Sequence, residues 1–343
     1  MRRIPRYADG IGNDMSLDGK ILARAKDALL EKRRIHDEQM NFHLKRVYSA
    51  APRVKELDAE IRGTMTELLG AALTPGSEAL IEDIHIRNIE LQAKRQHELH
   101  SAGFPDSYLD DDYMCKKCRD TGYEGASICS CLMDLYKAEQ RKSLSSLFRL
   151  GGETFDNFDL SFYDENPAPD TGVSPRRSMD IIYETCVEYA RKFGAKSMNL
   201  FFNGAPGLGK TFLSACIARV VADNGYSVVY DTASSVFAKF EDAKFLRTDD
   251  IDEARGEVKR CLDCDLLILD DLGTEMTTSF TVSALYDLIN TRLMTGKKTI
   301  VSSNLSPAEL RYRYSEQIIS RLEGEYQVLT FRGEDIRKLR NLV

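Results

Sequence analysis

The sequence predicts an α/β protein built on a parallel sheet, and three observations carry the prediction. Apolar runs of strand length recur at 198–203, 227–231, 265–270, 298–302 and 326–331, with helical patterns between them at about 210–224, 233–246, 253–263, 278–295 and 306–322. The first run leads into GAPGLGKT at 204–211, which fits G-x-x-x-x-G-K-[ST], a phosphate-cradling loop. The third run, LLILDD at 266–271, is continuously apolar, as a strand buried on both faces requires, and it ends in two carboxylates.

Taken from the N-terminus, residues 16–100 are rich in Leu, Ala, Glu, Lys and Arg, and three helices fit at 17–48, 53–72 and 77–101. In the third, Leu80, Ile84 and Leu91 share one stripe, widened by Ile81, while Ile86 and Ile89 lie off it. The first fifty residues hold 11 Lys/Arg against 7 Asp/Glu, which suits either an ordinary bundle with solvated faces or a helical docking module. Residues 104–135 break this pattern with an acidic stretch, Leu109 to Tyr113, and a cluster spaced C-x₂-C-x₁₀-C-x-C: Cys115, Cys118, Cys129 and Cys131. Two close thiol pairs joined by a loop with Gly122 and Gly125 favour a structural, tetrahedral Zn²⁺ site. The alternatives are an iron–sulfur site, which also uses four thiolates, or plain free cysteines. Helix resumes at about 132–148, and Gly151-Gly152 with the proline-containing loop 153–175 marks a boundary. The expected domains are therefore 1–103, helical and partner-docking; 104–150, the cysteine module and a linker helix; and 151–343, the α/β domain.

A helix at 176–193 precedes the sheet. Gly204, Ala205, Pro206, Gly207, Leu208, Gly209, Lys210, Thr211 and Phe212 form the expected nucleotide cradle. Backbone N–H groups and the positive end of the next helix face the phosphates, Lys210 reaches the β/γ-phosphates of ATP, and Thr211 offers a hydroxyl to Mg²⁺. Asp270 stands at the C-terminal end of its strand, where open α/β sheets bind ligands, and is expected to hold Mg²⁺ from behind the ion's first ring of ligands. Asp271 is the candidate for orienting the attacking water; it is shorter than the glutamate usual in such ATPases, which points to slow hydrolysis. Glu275 is a nearby spare carboxylate, and Asn304, at a strand end, either reads the γ-phosphate or is a turn residue before Pro307. Arg321 and Arg337 are either surface charges or guanidiniums offered to a γ-phosphate. Cys186, Cys216, Cys261 and Cys264 read as small buried hydrophobes, the last two despite their CxxC spacing.

The whole chain, 343 residues with a net charge of −7, argues against a uniformly basic nucleic-acid coat. It contains no apolar run of membrane-spanning length, and MRRIPRYADG has no apolar core of a signal peptide, so a cytoplasmic location is expected.

With these residues in view, 154–343 resembles the bacterial replicative helicase loaders of the DnaC/DnaI type, AAA+ ATPases whose branch includes the IstB transposition helpers. The matching strings are TFDNFDL (154–160), NLFFNGAPGLGKTFLSACIA (199–218), LLILDDLGTE (266–275), VSSNLSPAEL (301–310), IISRLEG (318–324) and FRGEDIRKLR (331–340). The cysteine module looks like that of the DnaI-type loaders. The resemblance implies a five-stranded AAA+ core in the order 5-1-4-3-2, without the C-terminal helical lid of AAA+ ATPases generally. It implies Walker A at Lys210 and Thr211, Walker B at Asp270 and Asp271, sensor 1 at Asn304, an arginine finger at Arg321 and sensor 2 at Arg337. It also implies self-association through the ATPase domain, a hexameric replicative helicase and single-stranded DNA as partners, and helicase loading as the task. The other readings are an IstB-like helper of a transposase on duplex DNA and, against the intact motif residues, a zinc-dependent nucleic-acid binder with an inactive ATPase.

Overall fold

The computed structural model describes residues 17–110, 113–145, 152–169, 172–245 and 251–340. Asp111 and Asp112 of the acidic stretch, Gly151 of the expected boundary and the end of the 132–148 helix lie outside the described residues. Lys26–Leu132 forms one compact unit and the rest of the chain another.

Three helices arise where the pattern places them: α1 (Gly19–Ala50), α2 (Pro52–Ala72) and α3 (Glu78–Ser101). Pro52 sets their first boundary. It cannot continue α1 but suits the first turn of α2, where its missing N–H has no intrahelical acceptor. Within Lys26–Leu132, Val54, Leu57 and Thr64 of α2 and Ile84, Leu91 and Leu99 of α3 are buried. Between the two helices Arg95 Nε donates to Asp58 at 2.6 Å and Asn88 to Thr64 at 2.5 Å. The expected stripe on α3 is narrower than the sequence suggested: Leu80, in the first turn, is 53% exposed. Past α3, a two-stranded antiparallel ribbon, β1 (Tyr123–Glu124) and β2 (Ser127–Ile128), turns at Gly125 (φ 61°) and precedes α4 (Ser130–Ser145). Its two-residue strands are too short for an alternation of apolar and polar residues to mark the ribbon in the sequence.

In the other unit, α5 (Pro175–Arg191) begins at Ser174, whose side chain accepts from Arg177 N. Then follow β3 (Asn199–Asn203), α6 (Lys210–Asp223), β4 (Val228–Thr232), α7 (Ala233–Phe245), α8 (Ile251–Asp263), β5 (Leu266–Leu272), α9 (Ser279–Met294) and β6 (Lys298–Ser303). The chain continues through α10 (Pro307–Arg313), α11 (Glu316–Gly324), β7 (Tyr326–Thr330) and α12 (Ile336–Arg340). The sheet is parallel in the order β4-β5-β6-β3-β7, which is 5-1-4-3-2 when its strands are counted in sequence. Side chains alternate across it: Leu200, Phe202, Tyr230, Ile268 and Ile300 pack with Ile182 of α5 and Leu213 and Ile217 of α6. Phe201, Val229, Leu267, Leu269 and Val301 pack on the other face with Phe237, Leu285, Leu288 and Ile318.

Two features depart from the expected elements. The single helix expected at 306–322 is two, because Tyr314 is extended (ψ 162°) and its phenol donates to buried Glu275. A capping box between Ser306 and Glu309 starts the first of the two. The other departure is α12, a short helix after β7, the last of the expected elements. The start of α1 belongs with this unit: Asp18 caps the helix by accepting from Lys20 N and Ile21 N, and accepts from Arg260 of α8 at 2.6 Å. Lys20 reaches Glu257 and Glu253 of the same helix at 2.8 and 3.0 Å. Among the described residues, no helix is long and apolar enough to cross a membrane.

Candidate functional site

The loop between β3 and α6 is shaped by glycines in conformations that other residues avoid. Gly204, Gly207 and Gly209 have φ of 149°, 78° and 91°. A β-carbon on Gly204 would lie 2.5 Å from the Phe331 carbonyl oxygen, and one on Gly207 1.8 Å from the Asp335 carboxylate. The segment after β7 thus lies directly on the loop, tied by Ile336 N to the Gly207 carbonyl (3.1 Å) and Phe331 N to that of Asn203 (2.7 Å). Tyr163, from the segment preceding α5, donates to the Leu208 carbonyl at 2.9 Å.

A cavity of about 300 Å³ opens over the loop. Pro206, Gly207, Leu208, Gly209, Lys210, Thr211 and Phe212 line it with Asp271, Asn304 and Arg337. Gly204 and Ala205 are not in its wall; their carbonyls accept from Lys210 Nζ at 2.7 and 2.9 Å. The third acceptor of that ammonium is Asn304 Oδ1, at 2.6 Å, and Asn304 Nδ2 donates to Asp271 at 3.2 Å. Burial lowers the Lys210 pKa, and the charges of Asp271 and Asp270 oppose the shift. Asp271 is raised above the ordinary carboxylate value, by burial first and the Asp270 charge second. It adopts φ 55° where β5 breaks register with β6, between Leu269 and Leu272. Asp270, 4% exposed, accepts from Thr211 at 3.0 Å, from Tyr230 at 2.6 Å and from Ser302.

Five of the expected residues, Lys210, Thr211, Asp270, Asp271 and Asn304, are therefore brought together. Arg337 is exposed on the cavity wall. Arg321 is not in that wall: its guanidinium lies over the Tyr286 ring, 4.9 Å from the centroid, and donates to Asn290 at 2.6 Å and the Tyr286 hydroxyl at 3.2 Å. Glu275 is not a spare carboxylate. It is 6% exposed and accepts from Tyr314 and, at 2.9 Å, from Gly273 N. Its loop is fastened by Arg313, which donates to the carbonyls of Gly273 (2.5 Å) and Glu275 (3.0 Å) and to Thr277 (2.8 Å), while Asn203 donates to the Leu305 carbonyl at 2.7 Å. Sequence reasoning missed Tyr230, Ser302 and the wall residues Phe158 and Phe162. For Ser302 a signal was present, a hydroxyl inside a buried apolar strand.

In the Lys26–Leu132 unit and at its end, the four cysteines converge with all sulfurs within 4.8 Å of one another; Cys115 and Cys129 lie 3.7 Å apart, Cys118 and Cys131 3.4 Å. Zinc–thiolate bonds of about 2.3 Å in a tetrahedron set the sulfurs roughly 3.8 Å apart. The donor set thus fits one ion, and a multi-iron cluster would need wider spacing. Arg119 and Asp120 follow the first pair in the left-handed region (φ 50° and 57°), with the Asp120 carboxylate accepting from Cys115 N at 2.7 Å. Gly122 N donates to Cys118 Sγ at 3.3 Å. Burial alone would raise the Cys118 thiol, but that N–H and the neighbouring thiols outweigh it and bring it to about 7. Cys261 and Cys264 are buried, and burial raises both thiols, Cys261 to about 12. Arg292 spans the adjacent carbonyls of Cys261, Leu262 and Cys264, so this pair closes α8.

Comparison with known proteins places this geometry. Residues 176–328 match the bacterial DnaA ATPase domain. The replicative helicase loader DnaC of Buchnera aphidicola is 26% identical over 152 residues, 44% of this chain and 61% of that protein. The replicative helicase loader DnaI of Bacillus subtilis is 25% identical over 189 residues, 52% of this chain and 55% of its own length. A putative insertion sequence ATP-binding protein of Sinorhizobium fredii is 32% identical over 98 residues, 29% of this chain and 31% of that protein. The chain spans between about half and three-fifths of the two loaders. The matches bear out the resemblance to DnaC/DnaI-type AAA+ proteins and give the chain a nucleotide-binding ATPase domain.

Proposed function

We propose that this chain binds ATP with Mg²⁺, hydrolyses it slowly, and uses it to load a hexameric replicative helicase onto single-stranded DNA. The observation that carries the reading is the meeting of Lys210, Thr211, Asp271 and Asn304 at one cavity, with Asp270 bonded to Thr211, in a domain similar to those of DnaC and DnaI. In this reading Lys210 turns from the Gly204 and Ala205 carbonyls to the β/γ-phosphates, and the backbone N–H groups from Gly207 to Thr211 cradle them. Thr211 and Asp270 hold Mg²⁺, which neutralises charge on the phosphate oxygens when bound. Asn304 and Asp271, already hydrogen-bonded, orient the attacking water. Arg337 serves in cis, and Arg321, held away from the cavity of its own chain, serves the site of a neighbouring copy. Residues 1–103 dock the helicase, and the cysteine module, holding one Zn²⁺, joins them to the ATPase. The protein then works in the cytoplasm.

The decisive experiment is capture of the host's replicative helicase by the full chain, with and without ATP, beside Lys210→Ala. Capture by wild type, with nucleotide binding and turnover lost in Lys210→Ala, is the expected result; unchanged turnover in that variant refutes the site. The match to an insertion sequence ATP-binding protein favours a second reading, an ATP-dependent helper of a transposase. Binding to duplex DNA in preference to single strands, with no helicase capture, would select it.

A further inference from the structure

Asp270 has partners of one kind. Among the described residues, the side chains bonded to it are all hydroxyls: Tyr230 at 2.6 Å and Thr211 at 3.0 Å on Oδ2, and Ser302 on Oδ1. A lysine or arginine in their place would orient the carboxylate but also neutralise it, and would compete with a divalent cation. A hydroxyl orients it and leaves the charge in place. An ionised carboxylate accepts at about four lone-pair positions, so three donors leave room for a further bond, toward the cation or one of its waters.

The three donors are not equivalent. Thr211 is the residue whose hydroxyl a phosphate-binding loop gives to the cation, so its bond to Asp270 is the exchangeable one. Tyr230 comes from the neighbouring strand, where Thr232 pairs with Asp270, and its ring packs in the core beside Ile268. Ser302 is wholly buried on β6; it donates to Asp270 and accepts from Asp271 N at 3.0 Å. One hydroxyl thereby fixes both aspartates at the break in β5.

We propose that Tyr230 and Ser302 are positioning residues that hold the Asp270 carboxylate in the orientation in which it binds the divalent cation. The proposal rests on the reading of Asp270 as the cation's holder, and the experiment separates the two. Binding of a fluorescent ADP to the full chain is measured in EDTA and across a Mg²⁺ titration, for wild type, Tyr230→Phe, Ser302→Ala and Asp270→Asn. Outer hydrogen-bond partners of metal ligands are worth about ten- to hundredfold in metal affinity. Tyr230→Phe and Ser302→Ala are each expected to raise the Mg²⁺ concentration for half-maximal effect by about that factor, with affinity in EDTA unchanged. If Asp270→Asn leaves the Mg²⁺ requirement as in wild type, the underlying reading of Asp270 fails. If Asp270→Asn raises it and the two hydroxyl variants do not, the positioning role alone is overturned. Equal losses in EDTA and in Mg²⁺ for the hydroxyl variants would show that they serve packing, and would overturn it as well.

Discussion

Gly207→Ala tests how tightly the segment after β7 is laid on the phosphate loop. Gly207 has φ 78°, and a β-carbon there would meet Asp335 Oδ1 at 1.8 Å, Cγ at 2.2 Å and Cβ at 3.0 Å. A left-handed alanine costs about 1–2 kcal/mol. Forcing atoms into an occupied position adds roughly 1–3 kcal/mol as neighbours shift. The single variant is therefore expected to lose about 2–5 kcal/mol of ATPase-domain stability in urea unfolding. It should weaken nucleotide binding too, because Asp335 carries Arg337 with it through a 3.0 Å bond to Arg337 N. Asp335→Ala removes the two shortest contacts and leaves only the one at 3.0 Å. In the double variant the penalty should fall toward the backbone cost of about 1–2 kcal/mol, a coupling of opposite sign to that of a lost interaction. A single variant as stable as wild type, or no relief in the double, would refute the argument that Asp335 is what excludes a side chain there.

Three further outcomes are expected. Purified protein should carry about one zinc per chain, lost in Cys115→Ser with loosening of the cysteine module; iron in its place, or a well-folded metal-free wild type, overturns the assignment. Arg321→Ala should keep ATP binding but lose stimulated hydrolysis, within the roughly 10³–10⁵ range of arginine fingers, and regain part of it when mixed with Lys210→Ala; no rescue on mixing means the arginine acts in cis. Burial alone would raise the Glu257 carboxyl, but Lys20, Arg260 and Lys239 outweigh it and depress it below 4.5. Its contribution to stability is thus present above pH 4.5 and lost as pH falls through the depressed value. Glu257→Gln should be less stable than wild type at pH 7, with the gap closing below pH 4.5; a gap that widens in acid contradicts the sign.

The inner strands were legible because β3, β5 and β6 are buried on both faces and carry apolar residues between helical patterns, whereas the edge strand β7 leaves Gln327, Val328 and Thr330 exposed. The phosphate loop was legible because backbone chemistry there demands particular residues at fixed spacing. Gly207 shows the limit: it falls on a free position of that pattern, and what requires it is Asp335, well over a hundred residues away. Tyr230 was hidden for a similar reason: it looks like strand filler until β4 is set beside β5. Ser302 carried a local signal, but its two aspartate partners appear only once β6 is set on the other side. The division of 306–322 depended on Tyr314 finding Glu275, a long-range bond without local signal. The four cysteines, by contrast, showed in their spacing the convergence that the fold produces.

Arg313 ties together more than its own helix. Through three bonds it fastens the loop that follows the paired aspartates, and Asn203 fastens the root of the phosphate loop to Leu305, just ahead of α10. The rim of the sheet is thereby riveted: the tip of β3, the turn after β5 and the start of α10 form one plate instead of three hinges. These bonds join the three directly, and α11, bearing Arg321, follows α10 across Tyr314 and Ser315. Loss of the Arg313 guanidinium would therefore free the loop after β5 without removing any residue of the cavity wall.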